Sequence, residues 1–318
     1  MIVVLSGGAC GGRTAIDLDR SLPSEAPAGG AGGVSALPRV SWDEITWDTV
    51  LDRSAVYLWT GSPNDTWAVT SAGASDVPGL GAFYRDHWDG SGWARTVAEF
   101  DPSQRFGEQQ VWAAPSGQAF SGSSRNGQRW SGQTWSDWPS APNCRAFGGS
   151  AENDLWCATE SELWRFDGAQ WTHQTMSGIR GILANERDDV WVWGTEGAHH
   201  FDGTRWSVER MGLVRRVSAS ERTDVWALQD GDLFHSGGPG TIWTRQNPTG
   251  SQISGLWSEA KDNTWIAAAG AVMRWEGAAW TLVPLPTQDE WLLISGSHED
   301  VWIAGTLMLI HGRPRRTF

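Results

Sequence analysis

The chain of 318 residues is poor in positive charge and in cysteine, and it has no long apolar run. Only 24 Lys and Arg stand against 37 Asp and Glu, a net charge of −13. Nucleic-acid binding needs clustered cations to neutralise phosphates, so no nucleic-acid partner is expected. The one basic cluster, Arg313, Arg315 and Arg316, reads as a solvated terminus. No stretch approaches the roughly 18 apolar residues of a membrane-spanning helix. There is no Gly-x-Ser-x-Gly elbow for nucleophilic hydrolysis and no Gly-rich loop to cradle a phosphate. His199 and His200 are neighbours on a predicted strand, so their rings point to opposite faces and cannot simply share a metal. Neither a cofactor nor a metal is expected.

Cysteine usage leaves two readings open. Cys144 and Cys157 flank one predicted hairpin and could form a disulfide in an oxidising compartment, or remain two small buried thiols. Cys10 is left alone.

What the chain does have is tryptophan, 24 residues of it, in a rhythm. An end marker falls at Trp93, Trp135, Trp171, Trp206, Trp243 and Trp280, with gaps of 42, 36, 35, 37 and 37 residues. A second aromatic marker follows Asp or Asn by two at Trp67, Trp156, Trp191, Trp226, Trp265 and Trp302, with Phe120 in the same register. Units of this length built from short strands and turns cannot bury their own faces and must stack on neighbours, which predicts a β-propeller. The fourth unit is the cleanest, with strand A over Arg180 to Ala184, B over Asp189 to Trp193, C over Ala198 to Phe201 and D over Arg205 to Val208.

The spacing of Trp42 and Trp47 copies that of Trp88 and Trp93, while the last unit, from Trp302 to Phe318, lacks a tryptophan for an outer strand. The N-terminal strand is therefore predicted to complete the last blade, which gives seven blades of four antiparallel strands and removes an open edge. The alternative is an outer strand made by Arg315 to Phe318.

Residues 1 to 39 read as a leader and tether, ahead of a propeller domain over residues 40 to 318. Residues 11 to 39 are rich in Gly, Ala, Ser and Pro with little periodicity. The segment ahead of them, Val3-Val4-Leu5-Ser6-Gly7-Gly8-Ala9-Cys10, resembles the end of a bacterial lipoprotein signal peptide. That resemblance implies lipidation at Cys10 and export to the bacterial envelope or periplasm, with a lipid as the only membrane contact. It departs from the pattern in lacking a basic leading segment, in its short apolar run and in having Gly7 where Leu is usual. A cytoplasmic tail is the alternative.

Asp65, Asp154, Asp189, Asp224, Asn263 and Asp300 end the turn between strands A and B. Their repetition marks them as scaffold, with a role in accepting backbone N–H groups in the turn. The runs Asp224-Val225-Trp226-Ala227-Leu228 and Asp300-Val301-Trp302-Ile303-Ala304-Gly305, each followed by a later Trp, resemble tectonin-type propeller repeats over most of residues 55 to 312. The resemblance implies a propeller and, as activity, recognition of glycans or lipopolysaccharide.

Loop length points to a site. Blade 1 is stretched between strands B and C through Ser71 to His87, and a second stretch around Phe100 to Gln109 links blades 1 and 2. Both connections emerge on one face of a four-stranded meander. They carry Tyr84, Arg85, Asp86, His87, Phe100, Asp101, Arg105 and Phe106, aromatic faces and polar forks suited to a sugar or a peptide. The expectation is a monomeric, non-enzymatic module binding glycan or protein through the rim of blades 1 and 2. The alternatives are a polysaccharide-acting hydrolase or lyase with its site at the central channel mouth, and a protein-assembly scaffold.

Overall fold

The computed structural model describes residues 39–51, 55–71, 83–97, 110–122, 127–246 and 248–317. Cys10 and the tether lie outside the described residues, as do Phe100, Asp101, Arg105 and Phe106. The described strands form seven four-stranded antiparallel sheets, six of them continuous meanders. Blade 4 runs Ile179–Glu186, Asp189–Gly194, Gly197–Phe201 and Trp206–Met211, each strand containing its predicted stretch almost entirely. The protein is a seven-bladed β-propeller.

The last blade is shared between the two chain ends. Trp291–Ser297, Asp300–Gly305 and Leu309–Thr317 are its inner three strands, and Arg39–Leu51 pairs antiparallel with Leu309–Thr317 as the outermost strand. Trp47 lies opposite Gly312. Residues 315 to 317 extend strand C and do not supply strand D.

Tryptophan joins each blade to the next. The strand-B ring is almost wholly buried, and an outer-strand tryptophan of the following blade meets it edge-on. Trp135 lies 5.4 Å from Trp67, Trp206 lies 5.7 Å from Trp156, and Trp280 lies 5.6 Å from Trp226, with interplanar angles of 71°, 89° and 83°. Blade 7 meets blade 6 through Trp42 and Trp265 at 5.2 Å. The ring closes where Trp93 of blade 1 meets Trp302 of blade 7, at 5.2 Å and 85°. Edge-to-face pairs of this kind contribute about 0.5–1.5 kcal/mol each beyond area burial.

The recurring acid of strand B has a different job from the expected one. It bonds across its own sheet to strand C rather than capping backbone in the turn. Asp189 Oδ1 lies 2.8 Å from His200 Nε2 and Asp224 Oδ1 2.8 Å from His235 Nε2, while Asp65 meets His87 at 2.9 Å and Asp300 meets His311 at 3.2 Å. In blades 3 and 6 an arginine replaces histidine, as Arg165 Nε donates to Asp154 at 2.9 Å and Arg274 Nε to Asn263 at 3.0 Å. The same imidazoles lie over the strand-B tryptophan, His311 3.7 Å from Trp302 and His235 4.1 Å from Trp226. Acid, base and indole form one repeated cross-strand unit. The backbone capping falls instead to the C–D turns, where Asp89, Asp167 and Asp202 each accept two N–H groups at 2.8–2.9 Å. Their glycines, Gly90, Gly168 and Gly203, take φ of 92°, 98° and 92°, the left-handed conformation such hairpins need.

Candidate functional site

The blade 1 residues assigned to a rim loop are in the sheet. Strand C of blade 1 is Phe83–Trp88, so Tyr84, Arg85, Asp86 and His87 stand on a strand and the connection occupies residues 72–82. Arg85 and Asp86 are each 1% exposed. Arg85 Nη1 donates to Gln128 Oε1 at 2.7 Å and Nη2 to the Gly122 carbonyl at 2.9 Å, clamping blade 1 to blade 2. Its guanidinium also lies 4.4 Å over the Trp135 ring. Asp86 accepts from Thr70 Oγ1 at 2.8 Å and from Arg95 Nε at 2.7 Å. Tyr84 is half-buried with the Arg95 guanidinium 4.4 Å over its ring, and His87 stacks 4.1 Å from Trp67. Arg85 is engaged in joining blade 1 to blade 2 and Asp86 in joining strands within blade 1, and both are buried, so neither has surface to offer a ligand.

Cys144 and Cys157 are joined by a disulfide, with Cα atoms 5.6 Å apart. Among the described residues no group of three or more metal-ligating side chains is found.

The structure draws attention to the propeller axis. A cavity of about 410 Å³ is lined by the inner strands of all seven blades. Its polar wall is basic: Arg180 comes from blade 4, and Arg215 and Arg216 from Val214–Glu221 of blade 5. Among the described residues no Asp or Glu lines it. None of the three guanidinium groups has a hydrogen-bond or ion-pair partner among the described residues, whereas Arg95, Arg165, Arg245 and Arg274 all meet acids. Tyr57 from Ala55–Ser62 of blade 1, Gln110 of blade 2 and several Ser and Thr hydroxyls also line it, with Trp59, Trp112, Trp193 and Trp257 between them.

The basic wall arises from a β-bulge. Ile179 pairs with Gly194 and Gly181 with Trp193, which leaves Arg180 as the extra residue; Val214 and Arg216 bracket Arg215 in the same way. A bulge re-aims side chains locally, so both Arg215 and Arg216 reach the axis although they are neighbours in sequence. The bulge backbone is held from outside: Gln110 Nε2 donates to the Arg180 carbonyl at 2.7 Å and Trp193 Nε1 to the Arg215 carbonyl at 3.0 Å. Gly181 admits the Trp193 indole, since a Cβ there would sit 2.2 Å from its Cζ2.

Burial shapes the electrostatics. Desolvation holds the Arg216 guanidinium below its ordinary value, offset in part by Tyr57. Burial pushes the Tyr57 phenol up to about 12, against the opposing effect of Arg216. At neutral pH the cavity therefore presents three cations and a neutral phenol.

The inner strands begin at this end of the channel, the end where the D–A and B–C connections emerge. The strand ends that frame the two long connections belong to it as well, since Ser71 pairs with Phe83 and Tyr84 with Val97. Sequence reasoning missed the arginines. Arg145, Arg180 and Arg215 recur at 35-residue steps, a visible signal, but Arg145 pairs with Glu160 at 3.5 Å and does not line the cavity.

No protein-family model matches the chain, and no curated protein matches it. Solved structures share its fold. Virginiamycin B lyase from Staphylococcus aureus superposes with a TM-score of 0.61 at 9% identity, covering 85% of this chain and 99% of that one. YCF48 from Cyanidioschyzon merolae gives 0.57 at 16% identity over 84% and 98%, and the WD40 repeats of RRP9 give 0.62 at 10% over 87% and 100%. This chain is thus similar in fold to a lyase, to YCF48 and to a WD40 repeat domain. Proteins so named differ in role, and the fold alone does not choose among their roles.

Proposed function

We propose that the protein is a non-enzymatic recognition module that takes a glycan or protein ligand on the face where the inner strands begin. The observation that carries this reading is the arginine-lined cavity opening on the axis at that face, with no acid in its lining among the described residues. The opposite face supports it by contrast, since its C–D turns at Asp89, Asp167 and Asp202 satisfy their own backbone and leave little to recognise. The long connections of blades 1 and 2, including Phe100, Asp101, Arg105 and Phe106, remain proposed ligand contacts. The tectonin-like repeats favour a glycan or lipopolysaccharide. The repeated use of the Asp–His pairs as strand linkages argues against a hydrolase or lyase centred on any one of them.

The disulfide between Cys144 and Cys157 favours an oxidising compartment, in keeping with export and a lipid anchor at Cys10. The test is a glycan and lipopolysaccharide array together with a pull-down, using the full chain. Hydrogen exchange on the bound form should then show protection at residues 176–178 and 194–197. Protection confined to the C–D turns would place the ligand on the wrong face, and turnover of a polysaccharide would make the protein an enzyme.

A further inference from the structure

We propose that the channel mouth is an oxyanion site in which Arg180, Arg215 and Arg216 hold a carboxylate or phosphate group of a ligand. The proposal rests on the docking face assigned above and names the chemistry recognised there.

Three arguments converge on it. The first is charge. In a chain with 37 acidic residues and a net charge of −13, three arginines share one cavity with no acid on its wall among the described residues. Like charges brought together in a partly desolvated space repel, and a structure keeps them only when the rest of the fold holds them there. Opposite charge supplied by a ligand removes that repulsion, and a guanidinium fork matches the two oxygens of a carboxylate or phosphate.

The second is positioning. The backbone that carries Arg180 and Arg215 is tied by side chains of other blades, Gln110 at 2.7 Å and Trp193 at 3.0 Å. Arg180 and Arg215 are exposed residues and Arg216 is half-buried, and their guanidinium groups have no hydrogen-bond or ion-pair partner among the described residues. Fixed backbone with free cationic ends lowers the ordering cost of binding.

The third is contrast with the other arginines. Arg85 and Arg165 are clamped within or between blades and cannot turn to a ligand. The axial three have no such structural use. A cavity of about 410 Å³ admits a small acid or the charged end of a larger ligand.

The experiment is calorimetric titration of the full chain with citrate, with inorganic phosphate and with N-acetylglucosamine as a neutral control. Citrate and phosphate should bind one site per chain, weaken as salt shortens the Debye length to about 10 Å at 0.1 M, and weaken at least tenfold in the Arg180→Gln/Arg215→Gln variant. The neutral sugar should not compete with them. Whichever anion binds more tightly identifies the source as carboxylate or phosphate. The unaltered protein offers an independent readout: phenylglyoxal should modify Arg180, Arg215 and Arg216, and citrate should protect these three while leaving Arg205 reactive. Absence of anion binding, or equal affinity in the variant, or protection that spares the three arginines, would overturn the site. If a ligand from the array still docked on this face, the oxyanion proposal alone would fall; anion binding with no docking there would sink the broader reading instead.

Discussion

Arg85 of blade 1 reaches into blade 2 and donates to the side-chain oxygen of Gln128 at 2.7 Å, while Gln128 Nε2 donates onward to Asp137 at 3.2 Å. A buried cation is thereby spent on joining two sheets at the place where the chain between them is longest. The connection from Val97 to Gln110 spans two blades without a described strand, so the side-chain bridge does what a short turn does elsewhere.

Replacing Arg85 with Met should therefore unfold more than a surface change would. Gln128 and the Gly122 carbonyl lose a charged donor in a site closed to water, and hydrogen bonds of this kind contribute about 1.5–3 kcal/mol. Urea denaturation of the variant measures this, and a loss under about 1 kcal/mol would show that the clamp is dispensable.

The Tyr57 phenol, pushed up to about 12 by burial, should titrate late. Below pH 10 it is protonated in folded and unfolded chains alike and makes no difference. Between 10 and 12 the unfolded chain releases the proton first, so stability falls as pH rises through this window. The protein has only two tyrosines. In the Tyr84→Phe variant the tyrosinate absorbance should rise with a midpoint near 12 while the fold persists; a midpoint near 10 would contradict the buried environment.

Asp189 should contribute to acid stability. Burial raises its pKa, but hydrogen bonds from His200 and Asn185, with charge from His200 and Arg222, carry it below the usual carboxylate value. The unfolded chain thus binds its proton more readily, and the stabilisation is present above about pH 4 and lost as pH falls through the folded value. Comparing the chain with Asp189→Asn across pH 2 to 6 should show a smaller acid loss in the variant. Parallel curves would assign the acid limb to other groups.

Removing residues 1–51 should strip the outer strand from the last blade. Leu309–Thr317 would then present an unpaired edge, and the outer contact of Trp42 with Trp265 would go. Size-exclusion chromatography of the truncated chain should show higher oligomers or aggregate. A stable monomer with unchanged melting would mean that the shared blade is unnecessary.

Much of this architecture is legible in the residue order because a blade is a local object. Trp191 and Trp206, with Gly203 between them, mark a B strand, a hairpin and a D strand within one unit, and each new unit repeats the marks. Even the closure was readable, since Trp42 and Trp47 copy a spacing whose counterpart is missing at the other end. The candidate site was far less so. Arg85 looked like a loop residue because the long insertion hides where strand C begins. The register from Ser71↔Phe83 to Thr66↔Trp88 is what turns Arg85 inward.

Periodicity speaks for contacts that recur, such as Trp135 on Trp67 or Trp280 on Trp226, because each repeat must bury the same faces against its neighbour. The channel is another kind of contact. Tyr57, Arg180 and Arg216 belong to three blades and meet only because seven sheets close around an axis, and that the adjacent Arg215 and Arg216 both reach that axis depends on a bulge that no spacing announces. The repeat thus dictates the scaffold through short-range packing, whereas the charge of its mouth emerges from long-range closure.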